Sequence, residues 1–182
     1  MQANWFVGLR VIGGEFLAAL APPPAVRLFA PSDLHITLAF LGPVAEARAR
    51  ESFAHAPSLP LTALDSELGE VVALGGKRRP SAFSALPVGH RAEIERAMSA
   101  VRDVMCDAAG AERETRPPLA HVTLARPLRR ASDAEVAAAE TWATGLDLGA
   151  ARVRIESVAL YTWSEDRASA LFRVIAEQPL RG

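Results

Sequence analysis

Two stretches of this chain alternate apolar and polar residues with a period of two, and both open on a histidine. Ile36, Leu38 and Phe40 alternate with His35, Thr37 and Ala39, and Val122 and Leu124 alternate with His121, Thr123 and Ala125. This is the pattern of a half-buried strand, whose successive side chains take opposite faces. The histidine and threonine of each stretch are therefore expected on one face, with small alanines beside them leaving room for a ligand. The branched apolar face suits packing against helices.

The rest of the pattern predicts further strands over about 5–11, 66–74, 81–86, 153–163 and 169–176, with the first motif strand spanning 34–41. Residues 66–74 and 81–86 read as a hairpin-like pair with Lys77-Arg78-Arg79 at its tip. A short helix is expected over 15–20, and the Ala, Glu and Arg run of 44–54 suits another. Ile94, Met98, Val101, Met105 and Ala108 recur at helical spacing across 91–109, where Gly110 supplies a stop. Ser132-Asp133-Ala134-Glu135 is a capping box that starts a helix to about residue 144. Proline loops ending near Pro31 and at Pro117-Pro118 lead into the two motif strands.

The motif itself is repeated: His35-Ile36-Thr37-Leu38-Ala39 and His121-Val122-Thr123-Leu124-Ala125, using two of the four histidines in the chain. A given histidine would carry Thr, Leu and Ala at those offsets by chance on the order of one time in a thousand, so a duplicated unit is implied. Strand, helix and motif strand follow one another in each half, and no shift of composition marks a linker. The expected fold class is α+β: one bilobal domain over residues 1–182, a pseudo-twofold duplication of antiparallel sheet with helices outside. The two motif strands are expected side by side at the axis, with both motifs in a central cleft.

Half of the 182 residues are apolar, enough for one substantial core, and the formal charge of -1 supplies no broad basic field for nonspecific nucleic-acid binding. Any RNA contact is expected to be local; Lys77-Arg78-Arg79 is either a turn kept soluble by charge or a contact to an RNA backbone. A single cysteine, Cys106, allows no internal disulfide and no cysteine-based metal framework, and a buried structural thiol is its default role. The apolar run 16–21 is too short to span a bilayer and the amino terminus shows no secretory signal, so a cytoplasmic, membrane-free protein is expected.

Two imidazoles that titrate near neutrality, each beside a hydroxyl, suit in-line displacement at phosphorus. One imidazole takes a proton from the attacking oxygen and the other protonates the leaving oxygen, while the hydroxyls hold the nonbridging phosphate oxygens. Such a pair needs no metal. His55 and His90 lack motif neighbours and are expected to be structural or surface residues.

The paired motif and its surroundings resemble the 2H phosphoesterase superfamily, in the branch of RNA 2',3'-cyclic phosphodiesterases also called 2'-5' RNA ligases. The residues that carry the likeness are Phe6-Val7-Gly8-Leu9, the segment from Leu34 to Gly42, Ala120 to Arg126, and Val158-Ala159-Leu160-Tyr161. Family members often place an aromatic residue or proline just before the second histidine, where Leu119-Ala120 stand here. The resemblance implies metal-independent opening of a terminal 2',3'-cyclic phosphate to a 2'-phosphomonoester, without a cofactor. In that reading His35 is the proton donor and His121 the proton acceptor, with Thr37, Thr123 and Arg126 as phosphate ligands. Strand parity places Arg126 with Val122 and Leu124, away from His121, unless the strand ends or twists there. Tyr161 and Trp163 share a strand face and are expected in core or rim packing, with stacking on a terminal base as the alternative. The implied partners are RNA ends or small cyclic-phosphate nucleotides, acted on by a monomer because the site is complete in one chain. Two other activities fit the same residues: 2'-5' ligation of cyclic-phosphate and 5'-hydroxyl ends, and noncatalytic binding of RNA ends.

Overall fold

The computed structural model describes residues 3–76, 79–149 and 151–182. Its strands are β1 (Trp5–Ile12), β2 (Val26–Leu28), β3 (His35–Gly42), β4 (Leu64–Gly76), β5 (Arg79–Val88), β6 (Val122–Pro127), β7 (Ala151–Trp163) and β8 (Phe172–Pro179). The helices are α1 (Glu46–Phe53), α2 (Arg91–Ala109) and α3 (Asp133–Thr144).

Local chemistry accounts for the helices. In α2 the residues Ile94, Ala97, Met98, Val101, Met105, Cys106 and Ala109 form one buried stripe, and Gly110 ends it at φ 67°, the left-handed turn that glycine adopts without a Cβ penalty. In α3 the Ser132 hydroxyl accepts the Glu135 N–H at 3.3 Å, and the Glu135 carboxylate accepts the Ser132 N–H at 2.7 Å, the reciprocal bonds of a capping box. The helix expected over 15–20 is a 3-10 turn at Gly14–Ala19, and α1 begins at Glu46 because Ala45 remains extended.

Two elements differ from the pattern. β2 was not anticipated: three residues among prolines are too few to show alternation, and it forms only as an edge partner of β6. β8 starts at Phe172 rather than at residue 169, because the Asp166 carbonyl and carboxylate hold Ala170 and Ser169 in a turn. Lys77 and Arg78 of the expected hairpin tip lie outside the described residues. Arg79 opens β5 and donates to the Ala131 carbonyl at 2.7 Å.

The strands form one eight-stranded sheet, ordered β2-β6-β5-β4-β7-β1-β3 with β8 added off this path on β7, and every pairing between named strands is antiparallel. The sheet divides at β7: residues Ala151 to Ile155 pair with β4, whereas Ser157 to Trp163 pair with β8. The expectation that the motif strands pair side by side is corrected here, since β6 and β3 are five steps apart in the order. At about 4.8 Å per step a flat sheet would hold them about 24 Å apart. Cα atoms of β3 and β6 nevertheless come within 8 Å, so the sheet curls until the two motif strands face one another. Helices α1 and α2 lie against β1 and β3, and α3 lies against β4 and β5. One hydrophobic cluster runs through all three helices and most strands, and among the described residues no helix is long and apolar enough to cross a membrane.

Candidate active site

Both motif strands carry a β-bulge at the same motif position. Gly8 faces Thr37 and Val7 faces Ala39, leaving Leu38 as the extra residue; Ser84 faces Thr123 and Phe83 faces Ala125, leaving Leu124 as the extra residue. A bulge puts two consecutive side chains on one side and reverses the parity that follows. Leu38 with Ala39, and Leu124 with Ala125, are accordingly all buried. The next residue in each copy turns outward: Phe40 is 58% exposed and Arg126 is exposed. Strict alternation, which placed Phe40 on the buried face, the alanines beside the histidines and Arg126 away from His121, fails for this one reason.

The histidines are held in the same way. His35 Nδ1 bonds the Asp33 carbonyl at 2.6 Å, and His121 Nδ1 bonds the Leu119 carbonyl at 2.7 Å, each two residues upstream. A carbonyl oxygen only accepts, so Nδ1 carries a proton in both rings and Nε2 is the atom that titrates. Gly8 lets β1 pass close beneath the first ring: a Cβ there would lie 3.0 Å from the Ile36 carbonyl oxygen and 3.6 Å from His35 Cδ2.

Aromatic rings surround His35. Phe6 lies 4.6 Å from it between centroids, Tyr161 5.4 Å away, and Phe172 meets it edge-on at 5.4 Å. This burial lowers the imidazole pKa to about 4, against the opposing bond to Asp33, and the charges of Arg126 and His121 push it the same way. Burial also lowers His121 below 6.5, partly offset by its bond to Leu119. Both rings are therefore neutral at pH 7.

Asp33, which no motif singled out, organises this side. Its buried carboxylate accepts the N–H groups of Leu171 at 2.9 Å, Phe172 at 3.0 Å and Ala30 at 3.2 Å, while its carbonyl holds His35. One residue thus fixes both the imidazole and the Phe172 ring against it. On the other side, the buried Thr123 hydroxyl is 3.1 Å from Ser84 Oγ, its register partner on β5. Thr37 is half-buried, and its hydroxyl makes no hydrogen bond to another described residue.

Arg126 reaches the cleft. Its guanidinium lies over the Phe29 ring, 5.2 Å from the centroid, and its charge acts on His35. Tyr161 is fully buried, stacked on Phe6 at 4.8 Å, with its phenol pKa raised by burial, so of the two β7 aromatics only Trp163 is partly exposed. His90 bonds Glu93 at 3.0 Å at the start of α2, His55 precedes a surface turn, and Cys106 is buried. Among the described residues no group of three or more His, Cys, Asp or Glu stands together as metal ligands.

No protein-family model matches the chain, and no curated protein matches it. Solved structures do. E. coli LigT complexed with 3'-AMP superposes with a TM-score of 0.70 at 18% identity, covering 100% of each chain. TT0787 of Thermus thermophilus gives 0.69 at 19% identity, covering 98% of each chain. A structure described only as a phosphoesterase gives 0.68 at 18% identity over 100% of each. At these identities the likeness is one of fold: the chain shares the α+β fold of LigT, TT0787 and that phosphoesterase.

Proposed function

We propose that this protein is a phosphodiesterase that opens the 2',3'-cyclic phosphate of RNA ends or nucleotides to a 2'-phosphomonoester, within a single unit formed by residues 1–182. The observation that carries the reading is the equivalence of the two histidines, each locked through Nδ1 to a carbonyl two residues upstream with Nε2 left to exchange protons. Nucleotide-sized substrates are supported by the LigT structure of like fold, which holds 3'-AMP.

In this reaction His121 Nε2 takes a proton from water as the water oxygen bonds to phosphorus. The bond from phosphorus to O3' breaks, and His35 Nε2 delivers a proton to that oxygen. The Thr37 and Thr123 hydroxyls donate to the nonbridging oxygens and Arg126 balances their charge. His35 needs its proton before the step, and the anionic diester favours it by offsetting the field of Arg126. All of these groups are side chains of this chain, so the step draws on neither a cofactor nor a metal. The test is turnover of a nucleoside 2',3'-cyclic phosphate with excess EDTA. Unchanged rates with the chelator support the proposal. A rate abolished by EDTA and restored by a divalent cation contradicts it, as does tight binding without turnover from pH 5 to 9. A 2'-5' linked product from paired RNA fragments would show the same chemistry running in reverse.

A further inference from the structure

Beside the histidines lies a cationic cluster of which the hydrolysis uses only Arg126. Arg27 and Arg126 are register partners on β2 and β6. Arg27 donates to the carbonyl of Arg167, and to that of Ala168 at 3.4 Å, which anchors the turn between β7 and β8 beside Arg126. The Arg167 guanidinium stacks over Trp163, 4.7 Å from the ring centroid, just as Arg126 stacks over Phe29. Stacking fixes the plane of a guanidinium and leaves its N–H edge for an acceptor.

Among the described residues no salt bridge neutralises Arg27, Arg126 or Arg167, although most arginines form one. The Arg167 Nε is buried without a hydrogen-bond partner. Nearby carboxylates are engaged elsewhere: Asp33 by three backbone N–H groups, Asp166 by Ala168 and Ser169, and Glu165 by Arg173 at 3.5 Å. Burial lowers the Arg126 pKa, and Arg167 is close enough for its charge to lower it further, with the charge of Asp33 acting in the opposite direction. Two like charges held together, one with a buried unpaired donor, make a site for an anion.

The scissile diester carries one negative charge, and Arg126 already answers it. We propose that Arg167, positioned by Arg27 and Trp163, binds a second phosphate of the substrate: the phosphoryl group on the 5' oxygen of the nucleotide that bears the cyclic phosphate. The site then distinguishes RNA ends and 5'-phosphorylated nucleotides from nucleosides whose only phosphate is the cyclic one. This rests on the hydrolase reading for its substrate, but its binding chemistry can be measured without turnover.

The experiment compares kcat/KM for a nucleoside 2',3'-cyclic phosphate with a free 5'-hydroxyl, its 5'-phosphorylated form, and a dinucleotide ending in the same cyclic phosphate. A charge-assisted contact predicts a preference of at least about tenfold for one or both 5'-substituted substrates. Which of the two shows it tells whether the phosphate read is an internal RNA linkage or a terminal group. Arg167→Gln should reduce the preference to within about twofold and Arg167→Lys should restore part of it. Equal kcat/KM values in the wild type, or an equal loss on all three substrates in Arg167→Gln, would overturn the proposal. If no cyclic substrate is turned over, the hydrolase reading fails and calorimetry decides the rest. Tighter binding of a nucleoside 2',5'-bisphosphate than of the 2'-monophosphate, lost in Arg167→Gln, upholds the phosphate site; equal affinities sink it.

Discussion

Leu38 and Leu124 are the extra residues of two equivalent β-bulges, each three positions after a motif histidine. The bulges swing the second residue beyond each leucine, Phe40 in one copy and Arg126 in the other, onto the open side of its strand. The same backbone device thus exposes a cation in one copy of the motif and an aromatic ring in the other. Two histidines held alike therefore stand in unlike surroundings.

Asp33→Asn should damage stability and catalysis together. The amide nitrogen would face backbone N–H donors that the carboxylate now accepts. Hydrogen bonds to a charged group are worth about 1.5–3 kcal/mol each, so a melting temperature lower by at least about 5 °C is expected. Because Phe172 is held through the same carboxylate, kcat/KM should fall even well below the melting transition. A variant with wild-type stability and rate would remove Asp33 from the account.

The aromatic surround of His35 sets a pH signature. NMR titration of the ring should give a midpoint near 4 in the free protein, and Phe172→Ala should raise it toward 6.5 by admitting water. Because kcat/KM reports the free enzyme, its profile should peak between the two lowered histidine values, on the acid side of 6.5. A wild-type midpoint at 6.5 would contradict the burial argument.

The same shift acts on stability. Between about 4 and 6.5 the unfolded chain binds a proton at residue 35 that the folded chain does not, so folding stability rises with pH across that window. The contribution is full above 6.5 and lost as pH falls toward 4, with a slope of at most about 1.4 kcal/mol per pH unit. Denaturant unfolding of wild type and His35→Asn at several pH values isolates it: the stability difference between them should change with pH only in that range.

Substitutions at Thr123 and Ser84 separate the proposed phosphate ligand from its support. Thr123→Val keeps the volume but removes the donor, and should lower kcat/KM by about 100-fold or more. Ser84→Ala leaves the threonine hydroxyl in place but frees it from its partner at 3.1 Å, so a loss below about tenfold is expected in the same assay. Equal losses would mean that Ser84 itself contacts the substrate.

Much of this was legible in the sequence because local periodicity and capping dictate it. α2 runs over the residues that the apolar spacing marked, α3 starts at its capping box, and the two motif histidines are held through equivalent bonds. The bulges were not legible, since a single inserted residue is defined by the partner strand rather than by its own. The approach of β3 to β6 depends on how five intervening pairings curl. Asp33 escaped notice because two of its partners are backbone N–H groups 138 and 139 residues away, which carry no side-chain signature. β2 is too short for any periodicity to reveal.

The most direct test is phosphorus NMR of a nucleoside 2',3'-cyclic phosphate incubated in EDTA with wild type, His35→Ala and His121→Ala, each first shown to be folded. The account predicts one new signal, a 2'-phosphomonoester, formed by wild type and slowed by at least about 100-fold in either variant. A cyclic signal that persists with wild type, or that disappears equally fast with either variant, would contradict it.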